Sequence, residues 1–354
     1  MVMKRIAFFQ SDLGVGGIQK SLINLLKNID YEQVEVDLYL SEPGGFWDVE
    51  FPEKLNLKQI PATNKLCKFM PFDFALKLAK INIVDCPNYD LAIDFNSYQF
   101  SCAAAALSVP AKKRVMWVHN DVEVKLKEEW KYRVLWHFFK GKFKYYDKFA
   151  FVSEALIIPF KRASKLKDID ANVIQNYIDI SDIRNKVQYS DYEFSVDDTC
   201  VNFVALGRLC HQKGYDIMLK CFASACKERE DIRLYIIGGG DDESGLRSLA
   251  ESLGISDMVF FLGSKTNPYY YMSKMDAFIS TSRYEGQGMN IMEAMAIGLP
   301  LYCTKNLEQY CDGFSGKEDM VAAIVCAKKE DKTPSDLIEY NQRVLDSVIA
   351  LAEG

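Results

Sequence analysis

The chain has 354 residues, 49% of them hydrophobic and 26% charged, with a formal net charge of −6 and a pI near 5.4. That length holds two α/β domains with proper cores, and the acidic balance argues against a nucleic-acid module. No apolar run approaches the roughly 18 residues of a membrane span, no small-residue cleavage site follows the start, and the ten cysteines form no C-x-x-C pair, so a cytoplasmic protein with reduced thiols is expected.

Lys4 to Phe9 reads as a first strand. A loop containing Gly14, Val15, Gly16 and Gly17 follows, then an amphipathic helix from about Ile18 to Asn28 with Leu22, Ile23, Leu25 and Leu26 on its apolar face. Strand, glycine loop and helix open a Rossmann-type unit, although the glycines do not fit G-x-G-x-x-G. A plain tight turn is the competing reading of these glycines. Val34 to Leu40 is a second strand, and residues 41–71, broken by Pro43, Gly44-Gly45, Pro52, Pro61 and Pro71, read as irregular. A strand over 90–95, a helix over 100–107 and a strand over 114–119 come next. The last of these ends in His119, at the level where parallel strands present polar residues to a ligand; a satisfied surface histidine is the alternative.

Residues 112–148 carry 11 Lys plus Arg against 5 Asp plus Glu. Within them Trp130, Tyr132, Trp136, Phe138, Phe139, Phe143, Tyr145 and Tyr146 interleave with Lys131, Arg133, Lys140, Lys142 and Lys144. Such a mixture predicts a surface for anionic membrane; a domain helix with its aromatics in the core is the competing reading. A strand over 149–152 and a strand-turn segment at 172–179 close an N-terminal domain, residues 1–180. The polar stretch 181–199 reads as the linker.

The α/β rhythm resumes in a second domain, residues 200–334. Its strands lie over 200–206, 232–237, 259–262 and 277–279, and a closing helix begins near Ser335 within 335–354. Arg208 and Lys213 follow the first of these strands, five residues apart. A planar fork and a point charge at that spacing suit a diphosphate; a solvated basic loop is the alternative. After the last strand come Glu285, the turn Gly286-Gln287-Gly288, then Met289 and a helix that starts at Asn290, holds Ile291 and Glu293, and stops at Gly298 before Pro300. A glycine turn feeding a helix N-terminus is a seat for phosphate. Asn290 and Glu293 as a ligand-free capping box is the competing reading. Asp168 and Asp170 have D-x-D spacing but sit among lysines and read as a solvated loop.

Together these segments resemble, in family order, the retaining glycosyltransferase family 4, the group 1 glycosyl transferases. The resemblance rests on Gly16-Gly17, His119, Asn176 to Asp179, Arg208 with Lys213, and the E-x7-E pair Glu285 and Glu293. It implies the GT-B fold, two Rossmann-like domains facing across a cleft, with a C-terminal helix crossing back to the first. It implies transfer of a sugar from a nucleotide-sugar to a glycan or lipid-linked acceptor, without a metal or other cofactor. Catalytic roles would fall to His119 and Glu285. Donor binding would fall to Gly16, Gly17, Arg208, Lys213, Gly286, Gln287, Gly288, Met289, Asn290, Ile291 and Glu293. Its relatives often work on the cytoplasmic face of a membrane, which places this chain in the cytoplasm, peripheral at most. A sugar phosphorylase, a nucleotide-sugar epimerase and a non-catalytic partner subunit are the alternatives.

Overall fold

The computed structural model describes residues 3–14, 16–42, 50–79, 81–83, 86–96, 98–189, 193–307, 313–314 and 316–353. Val15, Pro43 and Gly44-Gly45 of the sequence reading lie outside them. The chain forms two compact units, one of residues 1–178 with 338–354 and one of residues 179–337. Each is a parallel sheet with helices, the two Rossmann-like units that the GT-B expectation calls for.

Unit 1 has seven parallel strands: β1 (Lys4–Gln10), β2 (Val34–Leu40), β3 (Leu55–Gln59), β4 (Tyr89–Asp94), β5 (Ala111–Val118), β6 (Lys148–Phe151) and β7 (Ala171–Val173). Their order is β3-β2-β1-β4-β5-β6-β7, with β4 at the centre and β1 beside it. Phe9 of β1 pairs in register with Tyr39 of β2 and Asp94 of β4. Period-two alternation divides β1 between two cores. Ile6 and Phe8 pack with Leu22, Leu25 and Leu26 of the helix Gly17–Asn28, while Ala7 and Phe9 pack with Cys102, Ala105 and Ala106 of the helix Phe100–Ser108. Burial on both faces is why the strand reads as an unbroken apolar run.

β3 is a strand that residues 41–71 were not expected to contain. Its pattern is mostly exposed because it is the sheet's edge, so Asn56 and Lys58 dilute the apolar signal. The C-terminal helix Ile338–Glu353 belongs to unit 1, where Val344, Val348, Leu351 and Ala352 join the core beside β1 and β4. Asn341 holds it by accepting from the Ile178 N–H (3.1 Å) and donating to the Ile178 carbonyl (2.7 Å).

Unit 2 has five parallel strands: β8 (Val201–Leu206), β9 (Ile232–Ile237), β10 (Val259–Gly263), β11 (Ala277–Ser280) and β12 (Leu301–Cys303), in the order β10-β9-β8-β11-β12. Phe203, Ala205, Leu234, Ile236 and Ile279 form its core with Leu219 and Phe222. Residues 181–199, expected as a linker, belong to this unit. The helix Ile180–Lys186 buries Ile180 and Ile183, three apart, and packs on the helices Pro268–Ser273 and Met289–Ile297. Asp179 caps it, accepting from Asp182 N–H at 3.0 Å. Asn267 then donates to the carbonyls of Lys186 and Tyr189, both at 2.7 Å. Two buried positions in a polar stretch are too weak a periodic signal to read in advance.

The basic, aromatic stretch 112–148 is corrected in part. Tyr132, Trp136, Phe143 and Tyr146 are core residues of unit 1, and so is Lys142, at 1% exposure. Lys142 Nζ lies 3.0 Å from Asp94 Oδ2, which also accepts from the Tyr146 hydroxyl at 2.7 Å. Lys144 pairs with Asp73 at 2.6 Å. The 140–144 lysines are therefore not a row of solvated charges. Among the described residues no helix is long and apolar enough to cross a membrane.

Candidate active site

In unit 2 the carboxyl ends of β8, β9 and β11, which are neighbours in the sheet, converge. Two glycines let their loops touch. Gly214 has φ +66, and a Cβ there would stand 2.1 Å from the Thr281 carbonyl oxygen; at Gly238, with φ +142, a Cβ would stand 2.0 Å from the Gly207 carbonyl oxygen. No larger residue fits either crossing. Arg283 fastens the same loops, donating from its N–H to the Gln212 carbonyl (2.7 Å) and from its guanidinium to both oxygens of Asp216 (2.8 Å each). The guanidinium hydrogen bonds hold the Asp216 carboxyl below its ordinary range, against the opposing effect of burial.

This framing places Lys213 against Glu285. Their Nζ and Oε1 are 2.5 Å apart, and Ser282 Oγ donates to the same oxygen at 2.8 Å. Both contacts fall on Oε1, which leaves Oε2 as the oxygen a ligand hydroxyl would reach. The ammonium has three donors, so a phosphate can join the carboxylate without displacing it. Arg208 lies exposed just after β8. The helix Met289–Ile297 starts at Gly288, and no side chain caps it. The N–H groups of Ile291 and Met292 donate to the Gly288 carbonyl, and Met289 N–H donates to Gln287 O at 2.9 Å. Asn290 Nδ2 donates to the carbonyl of Leu206 at 2.6 Å, pinning the helix start to the end of β8. Gly286, Gln287, Met289 and Ile291 are all buried in this turn.

Asn290 is thus the second residue inside the helix, not its cap, and the capping box of the sequence reading does not form. Glu293, one turn in and 3% exposed, accepts instead from the Tyr269 hydroxyl at 3.2 Å. Ser282, Arg283 with Asp216, and Tyr269 are parts that sequence reasoning missed. Ser282 stands three residues before Glu285, which was the available signal; Tyr269 lies in a tyrosine run with no spacing to mark it.

Gly16, Gly17 and His119 lie in unit 1. Gly16 precedes the helix Gly17–Asn28 in extended conformation. Asp12 braces the loop, accepting from Gly14 N–H (2.8 Å) and Gln19 Nε2 (3.2 Å). Burial raises this carboxyl, but hydrogen bonds from Ser11, Gly14 and Gln19 outweigh it and hold it low. A glutamate at position 19 would set like charges against each other here; the glutamine donates instead. His119 is 5% exposed, stacked parallel to Trp117 at 6.1 Å, with Nε2 3.0 Å from the Phe95 carbonyl. Since a carbonyl only accepts, Nε2 carries the proton. Burial pushes the imidazole down to about 3, so His119 is neutral at pH 7.

Residues 195–342 match the family model for glycosyl transferases group 1. Over that stretch, the chain is similar to the group 1 glycosyl transferases. An uncharacterized glycosyltransferase of Haemophilus influenzae is 25% identical over 315 residues, 87% of this chain and 83% of that one. The Campylobacter jejuni N-acetylgalactosamine-N,N'-diacetylbacillosaminyl-diphospho-undecaprenol 4-alpha-N-acetylgalactosaminyltransferase is 24% identical, with 85% and 81% covered. Against relatives from Methanocaldococcus jannaschii and Escherichia coli the match spans about half of their length. The crystal structure of Anabaena HepE with UDP and glucose superposes with a TM-score of 0.65 over 98% of this chain and 100% of that one, at 17% identity, a likeness of fold.

Proposed function

We propose that this chain is a group 1 glycosyltransferase, retaining and metal-independent, that moves a sugar from a nucleotide-diphosphate sugar to a hydroxyl of a lipid-linked glycan. The observation that carries the reading is the pairing of Lys213 with Glu285 beside an uncapped helix N-terminus. Arg208, Lys213 and that N-terminus supply the positive potential a leaving diphosphate needs. Glu285 Oε2 takes a donor-sugar hydroxyl, and Glu293, set by Tyr269, takes the nucleotide ribose. The acceptor oxygen bonds to the anomeric carbon on the face from which the diphosphate departs; the carbon–phosphate oxygen bond breaks, and the acceptor proton passes to a diphosphate oxygen. UDP in the Anabaena neighbour and a diphospho-undecaprenol glycan in the Campylobacter relative's name support uridine donors and lipid-borne acceptors. The membrane side of the reading places the enzyme in the cytoplasm, at the membrane face.

A thermal-shift screen of nucleotide-sugars, UDP-sugars first, tests it. The true donor raises the melting temperature and is slowly hydrolysed, with NMR showing the anomeric configuration kept. EDTA leaves that rate unchanged. A donor that inverts, or a rate abolished by EDTA and restored by Mg²⁺, overturns the corresponding part.

A further inference from the structure

Three short elements on the outside of unit 1 repeat one pattern. The 3-10 helix Lys65–Phe69 exposes Leu66 and Phe69, three apart on a three-residue turn. The helix Phe72–Ala79 exposes Phe74 and Leu78, and the helix Trp130–Phe139 exposes Trp130 and Val134, each pair four apart. In every element the pair shares one face, and the 3-10 helix touches both of the others. Their opposite sides are already used, by Phe72 and Ala75 in one helix and by Tyr132 and Trp136 in the other. Six large apolar side chains, between 47% and 67% exposed, are thus left over after the core is made. A helix apolar on two faces has a second apolar surrounding to meet.

Cations accompany them in a chain that is acidic as a whole. Lys68, Lys77 and Lys131 are exposed on the same elements; Lys68 Nζ lies 5.1 Å over the Phe69 ring and Lys131 Nζ 5.9 Å over Trp130. Asp73 is matched by Lys144, and Glu129 faces Lys125 at 3.7 Å. Beside these elements is a cavity of about 480 Å³ whose lining includes Phe72, Gln99, Ser101 and Phe139.

We propose that this three-element face docks on an anionic lipid bilayer, with the apolar pairs at headgroup depth and Lys68, Lys77 and Lys131 against lipid phosphate. This deepens the lipid-borne acceptor reading and rests on it. It also relocates the membrane surface from the 140–144 lysines, of which Lys142 is buried and Lys144 is paired with Asp73, to residues 66–78 with 130–134.

The test is sedimentation with vesicles of phosphatidylcholine alone and of phosphatidylcholine with phosphatidylglycerol, at low and high salt. Binding to the anionic vesicles only, weakened by salt, is expected. Each pair changed to serine (Leu66 with Phe69, Phe74 with Leu78, Trp130 with Val134) weakens it on the order of tenfold or more. The melting temperature and the nucleotide-induced thermal shift stay as in the wild type, since all six side chains are exposed. Equal recovery in the supernatant with both vesicles overturns the proposal, as does undiminished binding by all three double variants. So does a wild-type dimer that the same variants dissociate, which would make the face a contact between copies. The thermal-shift and hydrolysis assays run without lipid, so a failed donor screen and a failed docking surface are read separately.

Discussion

Two lysine–carboxylate pairs show how one chemistry serves two ends. In unit 1 Lys142 meets Asp94 at 3.0 Å, with side chains 2% and 0% exposed. In unit 2 Lys213 meets Glu285 at 2.5 Å, with side chains 18% and 9% exposed. Around Asp94 both donors, Lys142 and the Tyr146 hydroxyl, fall on Oδ2, and Oδ1 is buried without a partner among the described residues. Burial therefore raises the Asp94 carboxyl against the pull of both partners. Glu285 is held through one oxygen too, by Lys213 and Ser282, but beside a glycine turn at strand-end level. The first pair is sealed and bears on stability. The second is reachable and bears on binding.

The largest effect should come from breaking the sealed pair. Lys142→Met leaves the buried Asp94 carboxyl without its counter-charge, with only the Tyr146 hydroxyl donating to it, and is expected to cost about 3–5 kcal/mol of stability, read by urea denaturation. Lys142→Met with Asp94→Leu should recover most of that loss, because no charge then remains buried. A single variant with the wild-type midpoint would break the contrast.

His119 sharpens it with a titration. Its folded pKa of about 3 lies below the unfolded 6.5, so protonation favours the unfolded chain. The stability this confers is complete above 6.5 and is lost as pH falls toward 3, on the order of 5 kcal/mol in all. His119→Gln should lack that part of the slope between those pH values; an identical slope would mean the imidazole is not held neutral.

The reachable pair should respond the other way. Lys213→Ala or Arg208→Ala is expected to cost about 2–4 kcal/mol in the transition state, roughly 30- to 1000-fold in kcat/KM, while the unfolding midpoint barely moves. If both keep wild-type turnover, the donor site is elsewhere. The smallest effect belongs to Tyr269→Phe, which removes one neutral hydrogen bond to Glu293. About 1 kcal/mol of nucleotide affinity should go, by calorimetry with UDP. Unchanged affinity in both Tyr269→Phe and Glu293→Gln would release Glu293 from the ribose.

Readability from sequence followed the same divide. β2 and β9 lie where apolar runs put them, and the helix after Glu285 starts and stops within a residue of its glycines, since glycine and periodicity are local signals. Lys213 and Glu285 were each visible as ligand-type residues. That they pair was not, because the contact spans β8 and β11 and depends on Gly214 passing Thr281. Lys142 looked like a surface charge because its neighbours Lys140 and Lys144 are exposed, and nothing local announces Asp94 48 residues away. β3 and the helix Ile180–Lys186 escaped for a simpler reason: each buries only one or two residues.

The placement of the helix Ile338–Glu353 also sets an order of assembly. Ribosomes deliver chains from the N-terminus, and domains usually fold as they emerge. Unit 1 is the exception to its own position, because Val344, Val348 and Leu351 reach its core only after the whole of unit 2 has been made. During that interval the apolar bed beside β1 and β4 waits uncovered, while unit 2, contiguous from residue 179 to 337, can close by itself. The half that is translated first is the half completed last.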